Sequence, residues 1–331
     1  MYVLVMAVAA AAGYDGALSW EYRLSDAVFV DVGQGDCCHI KGGDGVDVLC
    51  DSGGSDTKDV GADVLIPYFL GSGRGSIDLA VISHLHTDHY KGLVTMSAGV
   101  DIEMLLLSAA YETRAKVISE ETGVEVEDMI FARAGDVIDA GGGVTVRVLA
   151  PSEDDLKSVE HKIKKAGSKN ENAAGKNDVA AGINETYADV VDEIDENEAC
   201  LVCQVCYKGK KILFTGDIDC DFEKKLAEKW GGVNEKSSGT GESSHKCESI
   251  LSSDILKVAH HGSRFSSCKE FLDAADPDIS VIQVGRNMYG HPTQEAMDRI
   301  TESGSRLYRN DTDGAVMADL DGRDIKVYTM K

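Results

Sequence analysis

The chain has 331 residues with 43% hydrophobic content, enough for one large domain or two ordinary ones around a buried core. Its formal net charge of −24 favours solubility and repels polyanions at long range, so nucleic acid needs a local basic patch or a metal ion to approach. Nine cysteines, an odd number in a chain too large to need disulfide staples, argue against a complete secreted disulfide framework and for reduced thiols.

The first stretch, 1–26, opens with MYVLVMAVAAAAG, an apolar run too short to span a bilayer comfortably. No Lys or Arg precedes it, which makes it a poor signal peptide. It is read as an apolar segment and linker, with a membrane tether or weak export signal left open. The cell envelope or extracellular side is favoured over the cytoplasm.

From residue 27 the pattern becomes strand-rich: AVFVDV, CCHI and VDVLCD, separated by the turn signals GQGD and KGGDG. A helix is expected around VGADVLIPYFL, a strand at 77–82 and a helix near KGLVTMSAG. Strand IEMLLL, helix YETRAKVISEE and strands near MIFAR and VTVRVLA follow. Residues 152–198, rich in Lys, Glu, Asp, Asn and Gly, have the composition of a solvated insertion, disordered or loosely helical. Strands LVCQVCY and KILFTGD and helix DFEKKLAEKW come next, then a second Gly/Ser-rich insertion at 231–250. The remainder alternates again: DILKVA, the loop HHGS, helix KEFLDAA, strand DISVIQV, the loop GRNMYGHP, helix TQEAMDRIT, and strands RLYRN, AVMADL and DIKVYTM.

One domain over 27–331 carrying two insertions is the simplest description, and two halves of mixed strands and helices suit paired sheets with helices outside. Cys200, Cys203 and Cys206 lie on a strand with period-two alternation. Cys200 and Cys206 then face one way and Cys203 the other, which disfavours a metal cluster there.

The densest chemistry is SHLHTDH at 83–89, directly after an apolar strand. His84 and His86 are two apart, so both rings can project to one side, while Asp88 and His89 come from the turn that follows. Three further apolar strands end in possible metal-binding groups: Asp217 in LFTGD, His260 and His261 in LKVAHHGS, and Asp51 in VLCDSGG. Loops at strand ends are where a rigid scaffold presents catalytic groups. Imidazole and carboxylate suit zinc, manganese or iron without choosing strongly among them.

HxHxDH at 84–89, with FTGD at 214–217 and a later histidine at a strand end, resembles the metallo-β-lactamase superfamily. More narrowly, DVGQGD at 31–36, LKVAHHGS at 256–263, GRNMYGHP at 285–292 and TDG at 312–314 resemble the hydrolase domain of ComEC-type competence proteins. The resemblance implies an α/β fold of α+β type, a four-layer αββα sandwich of two mixed sheets, with two divalent ions at one edge. Zinc is the expected ion, with manganese or iron as alternatives. By the same resemblance His84 and His86 bind the first ion, Asp88 and His89 the second, and Asp217 bridges them. His260 is the choice for the remaining ligand, with His261 the alternative, because strand parity alone does not settle which ring turns inward. Asp51 is expected to orient a ligand by hydrogen bonding.

One departure stands out. Superfamily members often supply another histidine before the bridging aspartate, but here the corresponding strand end reads LLLSAAYE, and His161 is the only histidine in that interval.

Paired metals lower the pKa of a shared water and position the hydroxide for attack, so no side-chain nucleophile is needed. Asp88 and His291 are the expected catalytic groups, His291 as proton donor to the leaving group or as an extra ligand. Gln34 and Asp36, in GQGD, are expected to offer backbone amides to an anionic oxygen, and Ser263 and Arg286 to line the substrate. Lys91, Lys257 and Arg264 add local positive charge for phosphate contacts, although Lys257 also fits a solvent-facing strand position. The resemblance implies a phosphodiesterase or nuclease acting on DNA. Against DNA stand the net charge and the lack of a linear aromatic-plus-basic run. A small phosphodiester substrate, or a metal-bound module without catalysis, are the alternatives, and no specific protein partner is inferred.

Overall fold

The computed structural model describes residues 26–162, 199–232 and 249–331. The apolar N-terminal segment and most of both expected insertions lie outside these residues.

Short strands with apolar residues on both faces demand cover on both sides, and the architecture supplies it. The first sheet has eight strands. Its N-terminal part is antiparallel: β1 (Ala27–Phe29), β2 (Cys38–Lys41) and β3 (Asp47–Cys50). β5 (Leu79–Val81), β7 (Leu105–Ser108) and β8 (Met129–Ala132) extend it in parallel. On its other edge β16 (Val316–Asp319) pairs antiparallel with β1, and β17 (Lys326–Thr329) with β16. The second sheet runs in the order β15-β14-β13-β12-β11-β10-β9. These strands are β9 (Val137–Gly141), β10 (Val144–Ala150), β11 (Val202–Tyr207), β12 (Lys210–Phe214), β13 (Ile255–Lys257), β14 (Ile279–Ile282) and β15 (Arg306–Arg309). β4 (Ser76–Ile77) and β6 (Asp101–Ile102) form a small parallel pair beside the first sheet.

Three buried apolar layers follow from strand alternation. Between the sheets, Phe29, Ile40, Val48, Val81 and Leu106 meet Val146, Cys203, Val205, Ile212, Phe214, Ile255 and Val281. Outside the first sheet, Leu49, Ala80, Ile82 and Leu105 pack with Leu93 and Met96 of α2 (Thr87–Met96) and Ile118 of α3 (Ala115–Thr122). This layer also takes Leu65 and Phe69, where a π-helical turn at Gly61–Leu65 runs into α1 (Ile66–Gly71). Outside the second sheet, Val202, Leu213, Leu256 and Ile282 meet α4 (Cys220–Trp230), α5 (Lys269–Ala275) and α6 (Gln294–Glu302) through Phe222, Leu226, Phe271, Leu272 and Ile300. The result is the expected four-layer αββα sandwich.

Several local expectations are corrected. α2 begins at Thr87 rather than near Lys91, so Asp88 and His89 occupy its first turn. There a carboxylate is favoured by the exposed amides and the helix dipole. β9 has no counterpart among the expected strands: Val137–Gly141 pairs with β10 around the glycine run at 141–143. Residues 153–162, assigned to the first insertion, are helical, and Val159 is buried against the outer layer of the first sheet. The cysteine alternation holds: Cys203 joins the layer between the sheets and Cys200 the outer one.

Candidate metal centre

The two sheets bring their motif-bearing loops to one edge. Ile82 and Ser83 follow β5, and the backbone reaches His84 and His86 before α2 begins. His84 and His89 are fully buried, and Nε2 of His84 lies 2.9 Å from Nδ1 of His86. From the second sheet, the loop after β12 carries Asp217 and the loop after β13 carries His260 and His261. Nε2 of His89 is 3.3 Å from Oδ1 of Asp217. Nε2 of His261 is 3.1 Å from Oδ2 of Asp88 and 3.7 Å from Oδ2 of Asp217.

The structure thus turns His261, not His260, into the cluster. His261 is 2% exposed, whereas the His260 side chain is 34% exposed and its Nε2 stands 4.0 Å from Asp217. Both residues have positive φ, 50° and 52°, a left-handed pair that reverses the chain within one step. That backbone, rather than strand parity, decides which ring faces inward.

Supporting groups fix the imidazoles. Asp51 accepts from the amide and hydroxyl of Ser83 at 2.7 and 2.8 Å and lies 3.0 Å from Nδ1 of His89. The Gln283 carbonyl takes the other ring edge, 2.7 Å from Nδ1 of His261. Both rings are therefore held through Nδ1, leaving Nε2 toward Asp217, the arrangement by which outer groups orient metal-binding histidines. The side chain of Gln283 binds Cys37 and Val30 backbone atoms of the first sheet, clamping the two sheets beneath the site. Nothing in the sequence singled it out.

The electrostatics are those of a cation site. Burial opposes charge on His89, yet Asp217 and Asp51 outweigh it and raise its pKa well above the usual histidine range. Burial likewise opposes charge on Asp217, but His89 and His261 hold its carboxyl well below the usual carboxylate range. Burial, then the neighbouring His89, pull His84 well below the histidine range. Nε2 of His89 and Oδ1 of Asp217, both buried, face each other at 3.3 Å as an ion pair without hydrogen-bond geometry, and a coordinated cation between them would satisfy both. Donor atoms of His84, His89 and Asp217 lie within 4.8 Å of one another, as do those of Asp88, His89 and His261. This mixed nitrogen and oxygen set fits one or two divalent ions of the zinc, manganese or iron type.

Other expected site residues land differently. Asp36 is not a surface contact: it is 2% exposed, lies 3.3 Å from Nδ1 of His89 and 3.4 Å from Nδ1 of His261, and pairs with Lys257. Lys257 faces neither phosphate nor solvent. It is 1% exposed, touches Asp36 and donates to the Gly216 carbonyl, and burial pulls its pKa well below the lysine range. Two of the GQGD amides are already engaged, Gly33 donating to Asp31 and Asp36 to the Asp88 carbonyl. Gly35 packs against Asp88 so closely that a Cβ has no room. Gln34 is turned to Gly285, Ser263 is buried and accepts from the Phe265 amide, and Lys91 pairs with Asp56. Arg264 and Arg286 stay exposed. His291 is half-buried with its ring 5.7 Å from His260, and burial, then His260, lower its pKa. Asn287 holds that loop by donating to the Gly285 and His291 carbonyls. His161 is exposed on the 153–162 helix, and Ser108, where the extra histidine is expected, is buried and accepts from the Ala110 amide.

A sandwich of two mixed sheets between helices, with HxHxDH leaving one sheet and the Asp217 and His261 loops leaving the other, defines a metallo-β-lactamase-like fold. The chain is similar in sequence to competence proteins. It is 32% identical over 139 residues to "Competence protein ComA" of Neisseria gonorrhoeae, covering 42% of this chain and 18% of that protein. To "ComE operon protein 3" of Bacillus subtilis (strain 168) it is 22% identical over 310 residues, 87% of this chain and 32% of the relative. The chain therefore spans a third or less of the relatives it matches. No family model matches it. Among solved structures, the metallo-β-lactamase fold protein YhfI of Bacillus subtilis aligns with a TM-score of 0.46 and 9% identity over 87% of this chain and 98% of that one. The fold assignment stands on strand order and motif position rather than on that alignment.

Proposed function

We propose that the chain is a metal-dependent hydrolase of phosphodiesters, with DNA as its substrate in the manner of ComEC-type proteins. The observation that carries this reading is the buried pair His89 Nε2 and Asp217 Oδ1, facing each other at 3.3 Å without hydrogen-bond geometry where donors from both sheets converge. His84 and His86 would hold one ion, Asp88, His89 and His261 the other, and Asp217 both. Bound divalent ions would supply an activated water and charge stabilisation for the departing oxygen.

The chain's own residues do the rest. Asp51 and the Gln283 carbonyl fix the tautomer and direction of His89 and His261. His291, its ring 5.7 Å from that of His260 at the rim, would be the group that hands a proton to the leaving oxygen. Arg264 and Arg286 put exposed positive charge on the two rim loops, which offsets locally the acidity of the whole chain.

A small phosphodiester is the second reading, favoured by the net charge of −24. A membrane tether and an envelope location belong to the same proposal, since the apolar start lies outside the described residues. Among the described residues no helix is long and apolar enough to cross a membrane. DNA uptake as a whole is not assigned to this chain.

The test is chelation followed by reconstitution with zinc or manganese, assayed on bis-p-nitrophenyl phosphate, then on single-stranded DNA and a cyclic dinucleotide across salt. Return of activity with metal supports the hydrolase. Inactivity with every ion favours a metal-bound binding module, and indifference to DNA at low salt removes the nuclease assignment.

A further inference from the structure

We propose that Cys220, Glu223 and Cys268 form a separate site for a thiophilic divalent cation of the zinc type, which ties together the two loops that carry Asp217 and His261. None of the three belongs to the cluster at the strand ends. Cys220 is the first residue of α4, shortly after Asp217, and Cys268 is the N-cap of α5, shortly after His261. One donor atom from each of the three lies within 4.8 Å of the others.

Glu223 makes the arrangement more than a pair of thiols. It is fully buried, and its two oxygens accept the amides of Ser267 and Cys268, each at 2.7 Å. Each oxygen keeps a further lone pair. Among the described residues no cation pairs with it. The nearby guanidinium of Arg299 donates through Nε and Nη2 to the carbonyls of Ser267, Arg264 and Ser266, and its charge offsets only part of the burial that pushes the Glu223 carboxyl up to about 7. A buried carboxylate without a cation is costly. The hydroxyl of Ser267, next to it in the chain, is also buried and has no partner.

Two sulfurs and one carboxylate oxygen select a borderline-soft ion over magnesium or calcium, which take oxygen ligands. Cys268 is buried while Cys220 is half-exposed, which gives an ion a path of entry. Binding converts both thiols to thiolates and releases their two protons to solvent. The two loops are already joined by the Cys220 amide donating to the Phe265 carbonyl at 2.6 Å, so an ion here closes a second link between the same segments.

The experiment uses the full chain under reductant and reads iodoacetamide labelling residue by residue by mass spectrometry, with and without zinc. Cys206, also half-exposed, is the internal reference. Zinc should slow labelling of Cys220 by about tenfold or more while Cys206 is unchanged, as expected when a thiolate becomes a ligand. Cys268→Ser should abolish that protection. Cadmium should give a thiolate charge-transfer band that disappears in Cys220→Ser/Cys268→Ser, and metal content should fall by one ion per chain. Equal labelling with and without zinc would overturn the proposal, as would equal metal content in the native chain and the double variant. A Cys220–Cys268 disulfide in freshly purified protein would overturn it too, because the pair would then serve redox chemistry. Hydrolysis enters none of these readouts, so the outcome is independent of the proposed activity.

Discussion

His261 reaches Asp88 across 173 positions of sequence, with Nε2 3.1 Å from Oδ2, and this contact joins the helix that starts on the first sheet to the loop that leaves the second. It distinguishes the two adjacent histidines. His261→Ala should cost more hydrolysis than the about 10- to 100-fold typical of a supporting residue, and should lower metal content. His260→Ala should retain its metal. Equal metal loss in both variants, measured by elemental analysis, would remove the assignment of His261.

Asp51→Asn tests the supporting layer. The substitution keeps the shape but weakens the hold on His89 Nδ1 and on the Ser83 amide and hydroxyl. Metal affinity should fall by about 10- to 100-fold with the fold intact. Unchanged affinity in a competition titration would show that the ring is oriented by packing alone.

Lys257 and Asp36 form a buried ion pair under the site, each at most 2% exposed. Removing one partner strands the other, so Lys257→Met should destabilise by about 3–5 kcal/mol. Lys257→Met with Asp36→Leu should recover much of that loss. A double variant no more stable than the single one in urea denaturation would show that the pair acts through more than its mutual charge.

Gly92 sits inside α2 where alanine ordinarily gains about 1 kcal/mol. Here a Cβ would run into the Ser52 carbonyl, so Gly92→Ala should lower stability and push α2 away from the Asp51 loop. Denaturation and metal affinity should change together. A stabilised variant would contradict the close approach.

Alkaline pH should unfold the protein early. Burial raises the thiols of Cys37, Cys38, Cys50, Cys200 and Cys203 above their ordinary value of 9.0. In the unfolded chain these thiols lose protons above pH 9 while the folded chain keeps them, so stability falls as pH rises from that point. One pH unit higher the cost is about 1.4 kcal/mol per thiol, about 5–7 kcal/mol together, comparable with a domain's whole stability. Urea denaturation of chelated, reduced protein at pH 8 to 10 checks this, and Cys203→Ala should flatten the slope. A flat profile would mean the thiols ionise in place.

Most strands and helices were legible in the sequence because their apolar runs are short and cleanly bounded by Gly, Asp and Pro. Strand ends also pointed to His84, His86 and Asp217, and the turn after the first of those strands to Asp88 and His89, as one cluster. What alternation could not reach were positions where it carries no information. β13 is covered on both faces, so the side chain of Lys257 is buried although it looks free to face solvent. The left-handed pair at 260 and 261 breaks the parity that would have chosen between them. The guanidinium of Arg264 lies over the exposed ring of Phe265, a basic and aromatic pair that is too short to read as a linear nucleic-acid-binding run.

The pairing of β1 with β16 has a bearing on how the protein is made. β1 meets β2 close by in sequence but gains its other neighbour, β16, from far along the chain, and a nascent chain that has already exposed HxHxDH still lacks Asp217 and His261. Ions offered to such a half-finished polypeptide would meet an incomplete claw, so a full set of ligands waits for the loops of the second sheet.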